Sequence, residues 1–339
     1  MKKYFGALLS AFGLLILTSC KSNQITTANQ SIEDKKVVLY CSIDEVFAKP
    51  LIEKLKQRTG LQIVALFDTE STKTAGLSNR IRAEQSRPRA DVLWTSALLQ
   101  TLLMSRDGLL DNYDSPATRD LPANLRGTGW AGVGTRARLI LSGDARANYG
   151  RLTFSPLTVE GQFGHSNPQF GTASDEAAAL YTRNPKSTLN WYQSLKAEKV
   201  RILPGNGDVA RAVAEGDLNF GWADTDDYLG QKSRGKPIFV APITKDNVLV
   251  PGAVALLKGA PHAENARRLF DAIASKAGEA DLVAQMPGVF SLRGLDDPNN
   301  WKSGGQNFAF LATAPRDDYS KWPQSWDAIR PTLARIFQP

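Results

Sequence analysis

Gly221-Trp222-Ala223-Asp224-Thr225-Asp226-Asp227-Tyr228 is the stretch on which the reading of this chain turns. An apolar, strand-like run from Leu218 to Trp222 leads into it, and a helix-like run ending at Gly235 leads out. Three carboxylates therefore stand at a strand-to-helix junction, where open α/β sheets gather their ligands. A helix cap needs only one of them: Asp224 or Thr225 closes the first turn, and a further acid complements the dipole. Three acids between two aromatic residues exceed that need, so the junction is a candidate site.

The same alternation occurs upstream. Val37-Val38-Leu39-Tyr40 reads as a buried parallel strand, turning at Cys41-Ser42-Ile43-Asp44 into a helix marked by Val46, Phe47, Leu51, Ile52 and Leu55. Gly60 stops that helix, and Pro50 is accommodated in its early part. Leu61 to Phe67 is a second strand, followed by the polar run Asp68 to Lys73 and a helix through Leu77 and Ile81. Ala90 to Trp94 is a third, ending at Thr95-Ser96 before a helix from Ala97 to Arg106. Three strand-helix units predict a parallel, doubly wound sheet. Their turns, Ser42/Asp44, Thr69-Glu70-Ser71-Thr72-Lys73 and Thr95/Ser96, then lie along one sheet edge as candidate ligand-binding groups.

Asp111 to Arg126 reads as loop, interrupted by Pro116 and Pro122. Ala137 to Leu141, preceded by Arg136, is a short strand and the first crossing into a second lobe. Phe170 to Asp175 opens a helix whose free N–H groups, with Thr172, Ala173 and Ser174, suit an anion, although capping explains it equally. Trp191 to Ala197 is helical, Val200 to Leu203 a strand, and Gly205-Asn206-Gly207 a tight turn into a helix from Asp208 to Glu215. Ile238 to Pro242 and Val248 to Leu257 read as the return crossing, and a helix runs from Ala263 to about Ser275. Beyond Leu292 the chain is rich in Asp, Asn, Gly and Trp, and it ends in a helix from Trp326 to Ile336. His165, in a Gly/Asn/Pro loop, and His262, before a helix, read as surface or capping residues. Trp94 and Trp222 end apolar strands and read as at least half core.

The first residues speak to compartment. Lys2 and Lys3, the apolar run Ala7 to Leu17, and Leu17-Thr18-Ser19-Cys20 resemble a lipoprotein signal, with Cys20 as the lipidated residue and 21–30 as a tether. The apolar run is too short to span a bilayer. Cys41 is the one other cysteine, so no intramolecular disulfide forms once Cys20 is acylated. The formal charge is +7, of which Lys2 and Lys3 supply two units; no Lys/Arg block with interleaved aromatics marks a nucleic-acid surface. G-x-S-x-G, P-loop and H-E-x-x-H motifs are absent, which leaves Mg-dependent phosphoryl transfer at the acids as the enzyme alternative.

Taken in order, the lipobox, Val37-Val38-Leu39-Tyr40, Thr59-Gly60-Leu61-Gln62-Ile63-Val64, Ala90-Asp91-Val92-Leu93, Arg136-Ala137-Arg138-Leu139 and Gly259-Ala260-Pro261-His262 resemble the periplasmic ferric-iron-binding branch of ABC-transporter solute-binding proteins. The resemblance covers Val37 to about Ser275. It implies an α/β fold of the type II clamp class: two lobes, each a doubly wound sheet, joined by a two-strand hinge. The expected division is a signal peptide over 1–19, a tether over 20–35, one lobe from 36–134 and 244–290, the other from 135–243, and a C-terminal extension over 291–339. The implied role is a monomeric, membrane-anchored periplasmic or cell-surface receptor, no enzyme, that passes its ligand to an inner-membrane permease. Where the family pattern has adjacent tyrosines this chain has Asp226 and Asp227, with Tyr228 one residue late. Asp44, Asp226 and Asp227 are the expected oxygen ligands for a hard cation. Thr172, Ala173, Ser174, Asn206 and an arginine, Arg136 or Arg138, are the expected holders of a companion anion, phosphate or carbonate. Trp222, Asp224 and Thr225 complete the expected pocket. The alternatives are a zwitterionic aminophosphonate bridging the acids and the anion groups, and a polyamine on the acids with Trp94 and Trp222 as cation-π faces.

Overall fold

Three strand-helix units build one half of the sheet. The computed structural model describes residues 34–68, 75–145, 162–241 and 247–337. Strand β1 (Lys36–Cys41) lies between β2 (Gln62–Phe67) and β3 (Val92–Thr95), parallel to both. Helices α1 (Glu45–Thr59), α2 (Ala75–Ala83) and α3 (Leu98–Arg106) alternate with them. Val37 and Leu39 are fully buried, as a strand covered on both faces requires. Gly60 takes the left-handed conformation at φ 69° and donates its N–H to the Lys56 carbonyl, so the expected stop of α1 is a glycine C-cap.

The other half is β8 (Phe220–Asp224), β6 (Phe163–Ser166) and β7 (Arg201–Leu203), again parallel, with α4 (Gly171–Arg183), α5 (Pro185–Ala197), α6 (Asn206–Ala214) and α7 (Thr225–Ser233). Two long antiparallel strands join the halves. β5 (Trp130–Ser142) pairs along its length with β10 (Val248–Leu256), from Trp130↔Ala255 to Arg138↔Val248. β10 also pairs with β3, while the far end of β5 pairs with β8 (Arg138↔Asp224). The strand order is β2-β1-β3-β10-β5-β8-β6-β7, with β4 (Arg126–Gly127) and β9 (Phe239–Val240) flanking β5. This is the two-strand hinge and type II architecture the sequence implied.

Several elements differ from expectation. β5 begins at Trp130, seven residues before the expected short strand, because Gly132 and Gly134 hide the pattern. Gly134 sits at φ 65° with Val289 where a side chain would go, so packing rather than propensity makes this a strand. β6 falls where Gly164 and Asn167 suggest loop, and it places His165 in the core rather than at the surface. α9 (Lys276–Gln285) follows α8 (Ala263–Ala274) after a break at Ser275, whose hydroxyl caps the new helix. The last helix, α10 (Trp322–Ile336), starts four residues earlier than expected.

The C-terminal segment packs on both halves. α10 lies against α4, α5 and α3, with Thr182 donating to Ser325 at 2.7 Å and Arg106 paired with Asp327 at 2.6 Å. Arg183 holds Asp317 through a two-pronged contact, 2.7 Å at each oxygen. On the opposite flank, Gly288 packs so closely on α7 that a Cβ there would sit 2.5 Å from the Asp226 nitrogen.

Candidate functional site

The strand ends converge as the parallel topology demands. β8 delivers Asp224 and starts α7; β1 delivers Ser42 and Asp44; β3 delivers Thr95 and Ser96; and the middle of β5 passes between them carrying Arg136 and Arg138. Side-chain oxygens of Asp224, Asp226 and Asp227 lie within 4.8 Å of one another, a group able to hold a metal ion. The three acids have different environments.

Asp224 is wholly buried and fully occupied. It accepts from Arg138 Nη1 at 2.9 Å, Thr172 Oγ1 at 2.8 Å and Asn206 Nδ2 at 3.3 Å, with Arg136 Nη1 at 3.3 Å. It also forms a capping box with Asp227, whose carboxylate accepts from the Asp224 N–H at 3.1 Å. Arg138 is equally buried, donating from Nε to Glu176 at 2.7 Å and from Nη1 to Asn206 at 2.7 Å. Burial pushes Glu176 up, yet Arg138 and His165 more than offset it and hold its carboxyl below the usual range. His165 contacts Glu176 at 3.1 Å through Nε2. A charge placed so deep persists only when paired, and this network pairs it.

Thr172 and Asn206, expected to hold an anion, thus spend their donors on Asp224, and Ser174 donates to the Gly171 carbonyl at 2.7 Å. Ser42 and Thr95 bond to each other at 3.0 Å, locking two turns together. Thr225 donates to the Gly288 carbonyl and accepts from the Ala137 N–H at 3.3 Å. Trp94 and Trp222 are buried, Trp222 edge-on to Trp191 and His165, so neither indole presents a face to a cation. Tyr228 is buried too, its hydroxyl 3.3 Å from Gln306. Thr69, Glu70, Thr72, Lys73 and Cys20 lie outside the described residues.

Asp226 and Asp227 are the reactive remainder. Burial raises the Asp226 carboxyl; Arg136 opposes this, while Asp224 and Asp44 add to it. Burial also raises Asp227 well above the usual range, with the charges of Asp226 and Asp224 adding to it. Asp226 Oδ1 is buried without a hydrogen-bond partner among the described residues. Its other oxygen accepts from Arg136 Nη1 at 3.0 Å. Arg136 Nη2 meanwhile donates to the Ser96 carbonyl at 2.8 Å, so one guanidinium ties the acids of one sheet half to the β3–α3 turn of the other. A second tie crosses nearby: Asp175 of α4 accepts from the Leu98 and Leu99 N–H groups at 2.8 and 3.3 Å and caps α3. Burial pushes the Asp175 carboxyl up to about 7, against those two hydrogen bonds.

Glu176, Asp175 and Gly288 are not singled out by the sequence, and His165, read there as a surface or capping residue, is buried beside Glu176 instead. A signal existed for the acids: Asp175-Glu176 opens the run Ala177-Ala178-Ala179-Leu180, buried throughout, and a carboxylate in such a helix must have a partner.

The profile of the family described as bacterial extracellular solute-binding protein matches residues 37–285. This chain belongs to that family. It is a periplasmic solute-binding protein of the ABC-transporter type, a family of substrate-binding transport proteins. Among the described residues no helix is long and apolar enough to cross a membrane. Solved structures show the same fold. Iron-bound HitA from Pseudomonas aeruginosa matches with a TM-score of 0.75 at 18% identity, covering 89% of this chain and 99% of that one. The ferric binding protein from Campylobacter jejuni matches at 0.76 and 17%, covering 89% and 99%. AfuA from Actinobacillus pleuropneumoniae, with fructose-6-phosphate bound, matches at 0.75 and 17%, covering 89% and 98%. The solute-binding protein thus shares its fold with ferric-iron-binding proteins and with a sugar-phosphate-bound one.

Proposed function

We propose that this protein is the substrate-binding lipoprotein of an ABC importer, anchored through Cys20, that captures ferric iron between its lobes and hands it to an inner-membrane permease. Residues 36–134 and 244–290 would form one lobe and 135–243 the other. The observation that carries the reading is the state of Asp226 and Asp227. They are carboxyls raised by burial and by neighbouring acids, Asp224 for both and Asp226 for Asp227, one oxygen lacking a donor, with Asp44 close enough across the cleft to raise Asp226 further. Such a cluster is stabilised by a hard cation, which takes oxygen ligands. The iron-bound and ferric-binding neighbours supply the same cargo on the same fold.

A cation on Asp226 competes with Arg136 for the same carboxylate. Arg136, whose side chain is 13% exposed, is then free to pair with a companion phosphate or carbonate, while Thr172 and Asn206 stay committed to Asp224. The burial of Tyr228 against Gln306, with no phenolate at the acids, favours a second reading. In it a zwitterion sets its ammonium on Asp226 and Asp227 and its acidic group on Arg136. Calorimetric titration of metal-stripped protein separates the two. Ferric iron that binds in an anion-dependent way, and is lost in the D226N/D227N double variant, supports the first. Binding of 2-aminoethylphosphonate with no response to iron overturns it.

A further inference from the structure

We infer that the protein carries a second ligand site, for a small organic carboxylate, in the cavity between α3, the β4–β5 hairpin and the C-terminal segment. The cavity, open to solvent on one side, has a volume of about 610 Å³ and is separate from the acids of the cleft. Its volume lies in the range of small-molecule sites, which combine apolar walls with a few polar groups. Three features of its wall specify the ligand.

First, Arg126 lines it with an uncompensated charge. It makes no ion pair and no side-chain hydrogen bond among the described residues, and its Nε is buried without a partner. The acid of the same wall, Asp327, is taken by Arg106 at 2.6 Å, so the pair cancels and one positive charge remains. A partly buried guanidinium with no partner costs free energy that a bidentate carboxylate restores. Second, the first turn of α10 contributes Pro323 and the exposed Gln324, whose amide can donate to an anion. Third, Trp130 lies beside Arg126 in the hairpin, with Gly127 packed on its indole, and gives the cavity an aromatic wall. The preferred ligand therefore has a carboxylate for Arg126 and an apolar body for Trp130.

The site uses none of the cleft acids, so it goes beyond the proposed cargo and is tested apart from it. Benzoate, acetate and inorganic phosphate are titrated calorimetrically into the full-length protein, wild type and variants. The expected order is benzoate tightest, with binding unchanged in D226N/D227N. Arg126→Gln is expected to weaken benzoate about tenfold to a hundredfold, the loss of one charge-assisted contact, and to leave iron binding intact. Gln324→Glu, an exposed change that keeps Arg126 in place, is expected to weaken benzoate by repulsion. The inference is overturned if no probe binds up to millimolar concentration, if Arg126→Gln and Gln324→Glu bind benzoate like wild type, or if D226N/D227N abolishes the binding.

Discussion

Replacing Asp224 with Asn separates the structural acid from the candidate ligands. Asp224 is fully buried and serves Arg138, Arg136, Thr172 and Asn206 at once. An amide keeps one acceptor but turns an NH₂ toward guanidinium groups and leaves the buried Arg138 with Glu176 as its sole counter-charge. Breaking a buried pair in this way costs about 3–5 kcal/mol. For a chain of this length that lowers the melting temperature by roughly 5–8 °C. The D226N/D227N double variant should behave in the opposite sense. Both carboxyls are raised by burial and neighbouring charge, so neutral amides relieve repulsion, and the unliganded protein should hold its stability or gain about 1 kcal/mol. Urea unfolding of metal-free protein at neutral pH measures both. Equal losses in the two variants, or a loss below about 1 kcal/mol for Asp224→Asn, would refute this division of roles.

Asp175 makes stability depend on pH. Its carboxyl lies at about 7 in the folded protein against an ordinary 3.8. Its contribution is therefore fully present below 3.8 and lost as pH rises through about 7, a change of at most roughly 4 kcal/mol. Asp175→Asn, which keeps an acceptor for the α3 cap, should flatten that window in a series of unfolding midpoints; an unchanged slope contradicts the assignment. Gly288→Ala should destabilise by about 1–3 kcal/mol, because φ is 88° and the new methyl would press on the Asp226 backbone. It should also weaken ligand binding by shifting the start of α7, and wild-type affinity would count against Gly288 setting that position. Arg136→Gln should make iron binding independent of phosphate or carbonate while tightening iron itself. Retained anion dependence in calorimetry would show that another group holds the anion.

The fold was largely legible because its signals are local. Val37 to Tyr40, Gly60 and the run Ala90 to Trp94 each announce a strand or a stop, and three such units leave few topologies open. The acids at 224, 226 and 227 stood out for a similar reason: they sit on one turn, and the turn ends a strand. What the sequence could not show was long-range partnership. Nothing near Asp224 reveals that Arg138, two strands' connection away in sequence, neutralises it. Nor does the local pattern reveal that Thr172 and Asn206 spend their donors on it. His165 read as a loop residue because Gly164 and Asn167 surround it, and tertiary pairing with β8 and β7 makes it core. β5 was shortened for the same cause, its glycines being required by close packing against Leu292 and Val289.

Where the cargo binds tests the iron reading most directly. Crystals of the metal-stripped protein soaked with ferric iron and phosphate, measured at the iron absorption edge, locate the metal directly. One anomalous peak is expected within coordination distance of Asp44, Asp226 and Asp227, with Arg136 turned away from Asp226 toward the phosphate. A peak elsewhere, or none while 2-aminoethylphosphonate occupies the acids, would contradict it.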